Sequence, residues 1–390
     1  MLNKITQENL IILMLSSIFL NYLFLISPLF TLLVKINIIC FFFLNILYFY
    51  KFNNNLLLLI IIVILIIICL GSLTYQWDAR SLWGFKAKRI FIEGSIFTIS
   101  DNYAPFSHPD YPNLGPAFIA GFAKLIGYWN EIFPKLALTL MYIPVLLILN
   151  RLFIKNFFLL SLILIFFTIG KFIVNGEMDG LVSIYFTLSA LTIYNISISD
   201  NPKIKSYITP LLLVTILSLL KMEGFVLSVV LLLISKLFLF YKKELNYKII
   251  FYFILALIPG SLWQIFTYLL NISNDYTSYN YNFGNFSERF LEIKDYFLIT
   301  NYLIFNEKFL ISVFFFLFSF YLSKNKDLFI FAFVIIMIYS AILYTVYLST
   351  PLDLNWHLNS SATRVIKPMI LFLFLFGVYS INNKDKLYKL

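Results

Sequence analysis

"LLLLIIIVILIIICLGSLTYQWDARSLWGFKAKRIF", residues 56–91, holds two kinds of chemistry back to back. The first eighteen residues carry no charge. As a helix rising about 1.5 Å per residue they nearly match the roughly 30 Å hydrocarbon core of a bilayer. The next eighteen hold one acid, Asp78, and four bases, Arg80, Lys86, Lys88 and Arg89. A helix suited only to lipid thus delivers the chain straight into a charged segment. From Asp78 onward, Ala79, Leu82, Trp83, Ala87, Ile90 and Phe91 recur at three- and four-residue spacing, which predicts an amphipathic helix at the membrane interface.

The rest of the chain repeats the first half of that pattern. Of its 390 residues 61% are hydrophobic and 12% charged, against roughly 25% charged in a soluble domain. Apolar runs predict about twelve transmembrane helices, near residues 10–26, 29–50, 55–75, 134–150, 157–175, 179–197, 207–220, 224–240, 248–270, 309–323, 328–348 and 366–382. The expected fold is an all-α polytopic membrane protein, a single unit over residues 1–390. The first apolar stretch has no small-residue cleavage site and is expected to stay in the protein. Cys40 and Cys69 lie inside apolar runs and offer neither a disulfide framework nor metal-ligand spacing.

Lysine and arginine orient the spans. Alternate short loops hold Lys51, then Arg151 and Lys155, then Lys203 and Lys205, then Lys242, Lys243 and Lys248, then Lys324 and Lys326; Lys4 and the tail lysines Lys384, Lys386 and Lys389 belong to the same set. By the positive-inside rule this set and both termini are cytoplasmic. The net charge of +10 is mostly this bias. It points to anionic headgroups of membrane lipids as contacts, and no nucleic-acid partner is expected.

The opposite face carries the candidate chemistry. Its three main loops are residues 76–133, whose end "PNLGPAFIAGFAKLIG" (112–127) reads as a further interfacial helix, 271–308, rich in Tyr and Asn, and 349–368. Both histidines, His108 and His357, lie there, with Trp77, Trp83, Trp129 and Trp356. An aromatic belt would explain the tryptophans, but a belt occupies both interfaces and the cytoplasmic loops have none. Asp78 sits where it could cap the helix that follows, or serve as a carboxylate beside an anion site formed by Lys86, Lys88 and Arg89. "NGEMDG" (175–180) opens one span with Glu177 and Asp179, and "LLKMEGF" (219–225) puts Lys221 and Glu223 at a turn, where they could satisfy each other.

Taken together, "WDARSLWGFKAK" (77–88), "HPDYPNLGPAFIAGF" (108–122), "GEMDGLVSIYFTLSAL", "LLKMEGFVLSV" and "LDLNWHLNSSATRV" (352–365) resemble, in order and on one face, elements of the bacterial polytopic glycosyltransferases of the GT-C superfamily, which includes protein O-mannosyltransferases and lipid A aminoarabinose transferases. The resemblance covers most of residues 70–385. It departs in an extra apolar hairpin, residues 1–54, and in lacking the large soluble C-terminal domain of some members. It implies a GT-C-like fold and transfer of a sugar, usually with inversion, from a polyprenyl-phosphate-linked donor to a hydroxyl of a glycan, lipid or protein acceptor. It also implies a bacterial inner membrane location with the site on the periplasmic side.

Within that chemistry Asp78 is the expected catalytic base. Lys86, His357 and Arg364 are expected to bind the donor phosphate. Trp83, His108, Asp110, Tyr111, Asp179, Glu223 and Trp356 are expected around the substrates. Two histidines and several carboxylates on one face could assemble a divalent site, yet no spacing such as His-x-x-x-His occurs, and no metal or other cofactor is expected. Two other classes compete. A transporter would concentrate its polar residues at broken helices near the midplane, whereas here they lie in long loops. An O-antigen ligase or polymerase would place its main external loop late in the chain, whereas here the longest loop comes early and opens with an acid.

Overall fold

The computed structural model describes residues 6–52, 56–74, 76–98, 103, 105–199, 204–241, 247–272 and 283–383. Among them the chain is helical without a strand. In order the helices are α1 (Gln7–Phe24), α2 (Thr31–Lys51), α3 (Leu56–Gly71), α4 (Phe85–Glu93), α5 (Leu114–Ile126), α6 (Leu136–Leu140), α7 (Tyr142–Leu152), α8 (Lys155–Ile169), α9 (Asp179–Ser197), α10 (Ile204–Ser218), α11 (Met222–Tyr241) and α12 (Tyr247–Leu269). They continue with α13 (Phe283–Leu291), α14 (Ile293–Leu303), α15 (Glu307–Ser323), α16 (Lys326–Ser349), α17 (Leu354–Val365) and α18 (Lys367–Asn382).

Each expected span coincides with a helix, but they are unequal. Eight described stretches are long and apolar enough to cross a membrane, or nine if α14 and α15, bent by 71° at their junction, count as one. The remaining expected spans, α3, α6 with α7, and α10, are shorter apolar helices. Pro210 stands inside α10, where a missing N–H and a ring clash limit a helix. The loop expected at 349–368 is largely helix: Asp353 caps α17 by accepting from the Trp356 N–H at 2.8 Å, and α18 follows it directly. Lys4, Lys203, Lys242, Lys243, Lys384, Lys386, Lys389 and residues 273–282 of the Tyr- and Asn-rich segment lie outside the described residues.

The helix α9 forms the axis of the bundle. It is buried along nearly its whole length and touches α7, α8, α10, α11 and α18, the setting that a helix apolar on all faces requires. Ser183, Thr187 and Thr192 are satisfied within the helix, each donating back to the carbonyl four residues earlier at 2.7 to 2.8 Å. At the periphery, Leu32, Ile36, Phe43 and Ile46 of α2, like Val63 and Ile67 of α3, expose apolar side chains, which only lipid covers without cost.

The expected extra hairpin, α1 with α2, is fastened into this bundle. The Asn37 amide donates to the Ser17 carbonyl at 2.8 Å and its Oδ1 accepts from the Ser17 hydroxyl at 3.0 Å. Asn21 donates to the Ala117 carbonyl of α5 at 2.8 Å. Gly121 makes room for it, because a Cβ there would overlap the Asn21 side chain.

Segments expected on one face meet at one end. Glu8 lies 3.8 Å from Arg151 and 3.7 Å from Lys205, and Asn382 accepts from the Ile154 N–H at 3.2 Å. Asp78, Asp179, Lys221, Glu223 and Arg364 gather elsewhere, in the cluster described next.

Candidate active site

Asp78 does not cap a helix. Its own backbone is already helical, its side chain makes no capping bond, and the chain runs on through a π-helical turn, Ala79–Gly84, into α4. Such wide turns recur at functional sites. The carboxylate instead pairs with the Arg364 guanidinium at the end of α17. Arg364 also reaches Asp179, the first residue of α9, at 3.2 and 3.3 Å. The second Asp179 oxygen accepts from Lys221 at 3.0 Å, and Lys221 holds Glu223 at 2.8 Å. Five side chains of alternating sign thus run from Asp78 to Glu223, drawn from segments up to 286 residues apart. Asp179 and Lys221 are buried, and a buried charge persists only beside an opposite one.

Glu177 joins the acids through the turn before α9. Gly176 takes φ +90°, a conformation costly for any side chain, and a Cβ there would lie 3.3 Å from that of Ala79. Asn175 accepts from the Glu177 N–H at 3.1 Å and donates to its carboxylate. Burial, then the neighbouring Asp179 charge, holds the Glu177 carboxyl above its usual range, against the pull of Arg364. Asp78, Glu177 and Asp179 offer oxygens within 4.8 Å of one another, a spacing a divalent ion could use. Asp78 and Asp179 already face Arg364 and Lys221, so two side-chain cations offset part of the charge of this set.

Asp78, Glu177 and Arg364 line a cavity of about 510 Å³. Its other walls are the end of α8 with Phe166 and Phe167, the 3-10 turn Gly170–Ile173, the start of α15 at Lys308, and the α17–α18 junction with Ser360, Thr363 and Lys367. Three lysines stand at it. Lys308 donates to the Phe167 carbonyl at 2.8 Å with its ammonium 4.7 Å from that ring. Lys367 donates to the Thr363 carbonyl at 2.7 Å and lies 4.2 Å from the Phe172 ring, and Lys171 lies 5.3 Å from the same ring. None of the three forms an ion pair with a carboxylate among the described residues.

The other expected site residues divide. Lys86, Trp83, His108, Asp110 and Tyr111 form a second cluster and do not line the cavity. Lys86 is 1% exposed and donates to the Tyr111 carbonyl at 3.0 Å, between the Trp83 and Tyr111 rings at 5.8 and 5.7 Å. Burial pushes its ammonium down to about 7, with Asp110 pulling the other way. Trp83 is buried as well, so no face of its ring is open to a sugar. His108, at φ 45°, closes a turn onto the Tyr111 N–H at 3.0 Å and stacks on the Tyr111 ring at 4.5 Å. The Asp110 carbonyl accepts from Trp263 at 2.8 Å.

His357 bonds the Thr350 hydroxyl at 2.9 Å and meets the Tyr347 ring edge-on at 5.0 Å, while Trp356 points outward, 60% exposed. Glu223, the far end of the charge chain, leaves one buried oxygen without a hydrogen-bond partner among the described residues. The cavity lysines went unrecognised in the sequence, although a signal existed. Lys171, Lys308 and Lys367 each stand at the end of a span opposite the lysine-rich loops, against the charge bias, as Lys86 does.

Comparison of the chain with protein-family models, with curated proteins and with solved structures gave no match.

Proposed function

We propose that the chain is an integral membrane glycosyltransferase of the GT-C type with about twelve spans. In this reading it moves a sugar from a polyprenyl-phosphate carrier to an acceptor hydroxyl of a glycan, lipid or protein. The single observation that carries the reading is the placement of Asp78: a carboxylate held by Arg364, from a loop after an early span, at the wall of a cavity large enough for a sugar and flanked by aromatic rings. The acceptor oxygen attacks the anomeric carbon, the bond from that carbon to the phosphate oxygen breaks, and the hydroxyl proton passes to Asp78. Attack from the face opposite the carrier inverts the anomeric centre. Arg364 acts as a positioning residue, since its Nε and Nη2 are engaged by Asp179 and Asp78.

The lysine-rich end of the bundle is cytoplasmic in this proposal, both termini with it, and the cavity opens on the periplasmic side of a bacterial inner membrane. A lipid-linked donor reaches such a site from within the bilayer, whereas a nucleotide sugar does not. Purified protein given a panel of polyprenyl monophosphate sugars should transfer or slowly hydrolyse one of them in an Asp78-dependent way, and nucleotide sugars should give nothing. Transfer of a diphosphate-linked oligosaccharide instead would replace this reading with a ligase or polymerase; flux of an unmodified solute in liposomes would replace it with a transporter.

A further inference from the structure

Two ammonium groups share one aromatic ring at the cavity. Lys171 and Lys367 come from segments almost two hundred positions apart, yet both lie over Phe172, at 5.3 and 4.2 Å from its centroid. Each gains from the ring's negative face, but the two repel one another and no described carboxylate pairs with either. Lys308 adds a third such charge across the cavity, anchored on Phe167. Like charges brought together without a counterion are an unfavourable arrangement that an anion relieves. The cavity's two acids relieve it only in part: Asp78 is engaged by Arg364, and Glu177, held by the neutral Asn175 amide, forms no ion pair with a lysine among the described residues.

We propose that Lys171, Lys367 and Lys308 form a site selective for a phosphate monoester dianion over a phosphodiester. The distinction rests on the transferase reading for its meaning. A loaded carrier is a phosphodiester with one negative charge; when its anomeric C–O bond breaks, the electron pair stays on the phosphate, which leaves as a monoester with two. Three lysines outside any ion pair among the described residues therefore interact more strongly with the leaving phosphate than with the donor, which favours departure and makes the discharged carrier the better ligand. Phe166 and Phe167, partly exposed beside Lys308, give an apolar edge for the first units of a lipid chain.

Binding tests this without any sugar transfer. With purified protein at pH 8, a polyprenyl phosphate should bind at least about tenfold more tightly than its phosphate methyl ester of equal chain length. The ratio should shrink as pH falls below about 6, where the monoester takes up its second proton. Lys171→Gln with Lys367→Gln should bring the ratio close to one, and Lys294→Gln, an exposed lysine that does not line the cavity, should leave it intact. Inorganic phosphate should compete only weakly; competition as strong as that of the lipid would assign the site to a free anion and overturn the lipid half of the proposal. A ratio near one in the unaltered protein, or a ratio unmoved by pH or by the double substitution, would overturn the selectivity. Because binding is read without transfer, loss of the transferase reading would leave a distinguishable result: a selective site with no transfer.

Discussion

Asp78 and Lys86 stand eight positions apart in one amphipathic segment and have met opposite environments. Asp78 was drawn into a chain of alternating charges with partners on α9, α17 and the α10–α11 turn. Lys86 went inward with Leu82, Trp83, Ala87 and Ile90, the apolar face of its helix, and is held by aromatic rings, one carbonyl and the charge of Asp110. The first arrangement is stable through mutual compensation. The second is tolerated because burial lowers the cost of losing the proton. A charged residue in such a segment therefore marks chemistry only when its partners are known.

The largest effect should fall on the networked member. Asp78→Asn keeps size and removes the base, so transfer should drop about 10³-fold while the protein still purifies folded; residual activity within tenfold would make Asp78 a structural residue. Arg364→Met leaves Asp78, Glu177 and Asp179 facing one another, and stability measured by thermal or denaturant unfolding should fall by about 3–5 kcal/mol. Combining it with Asp179→Leu should recover part of that loss, since sites sharing a partner are not additive; strictly additive losses would dissolve the network.

Lys86→Met supplies the contrast. An apolar side chain of similar length should cost under about 1.5 kcal/mol. It should also remove a pH dependence whose sign is fixed. The folded value of about 7 lies below lysine's ordinary 10.5, so between them the unfolded chain holds a proton that the folded chain lacks, and stability rises with pH across that window. Below about 7 both states hold it and this contribution is flat. A Lys86→Met variant with the same slope as the parent would place the titration elsewhere. Smallest of all, Trp356→Ala should change stability by about 0.5 kcal/mol or less and transfer by no more than a few-fold; a loss like that of Asp78→Asn would show that this exposed ring stacks on substrate.

Hydropathy was enough to find the span helices, since a long apolar run has few other stable placements, but not α13, α14 and α17, which lie in segments expected as loops; of the lysine-rich segments, those around Glu8, Arg151 and Lys205 meet. Asp78, Asp179 and Arg364 were recognisable as candidates because ionisable residues at membrane depth need partners, but which partners they took depended on how α9 and α17 pack, and that is a property of helix faces far apart in the chain. Lys86 misled because its neighbours in sequence, not its charge, decide its placement. The lysines of the cavity were hidden by lying singly at helix ends, where each alone reads as a snorkelling terminus; only their convergence on Phe172 and Phe167 sets them apart.

The bond from Asn21 to the Ala117 carbonyl has a meaning for how the protein is made. α1 leaves the ribosome before α2, and its tie to α2 through Ser17 and Asn37 can form as soon as both are synthesised. The carboxamide of Asn21 must then wait for a carbonyl 96 residues downstream, and the Lys205 partner of Glu8 emerges later still. The early hairpin is therefore complete only once α5 and α10 have been made, and its carboxamide stays unmet until then.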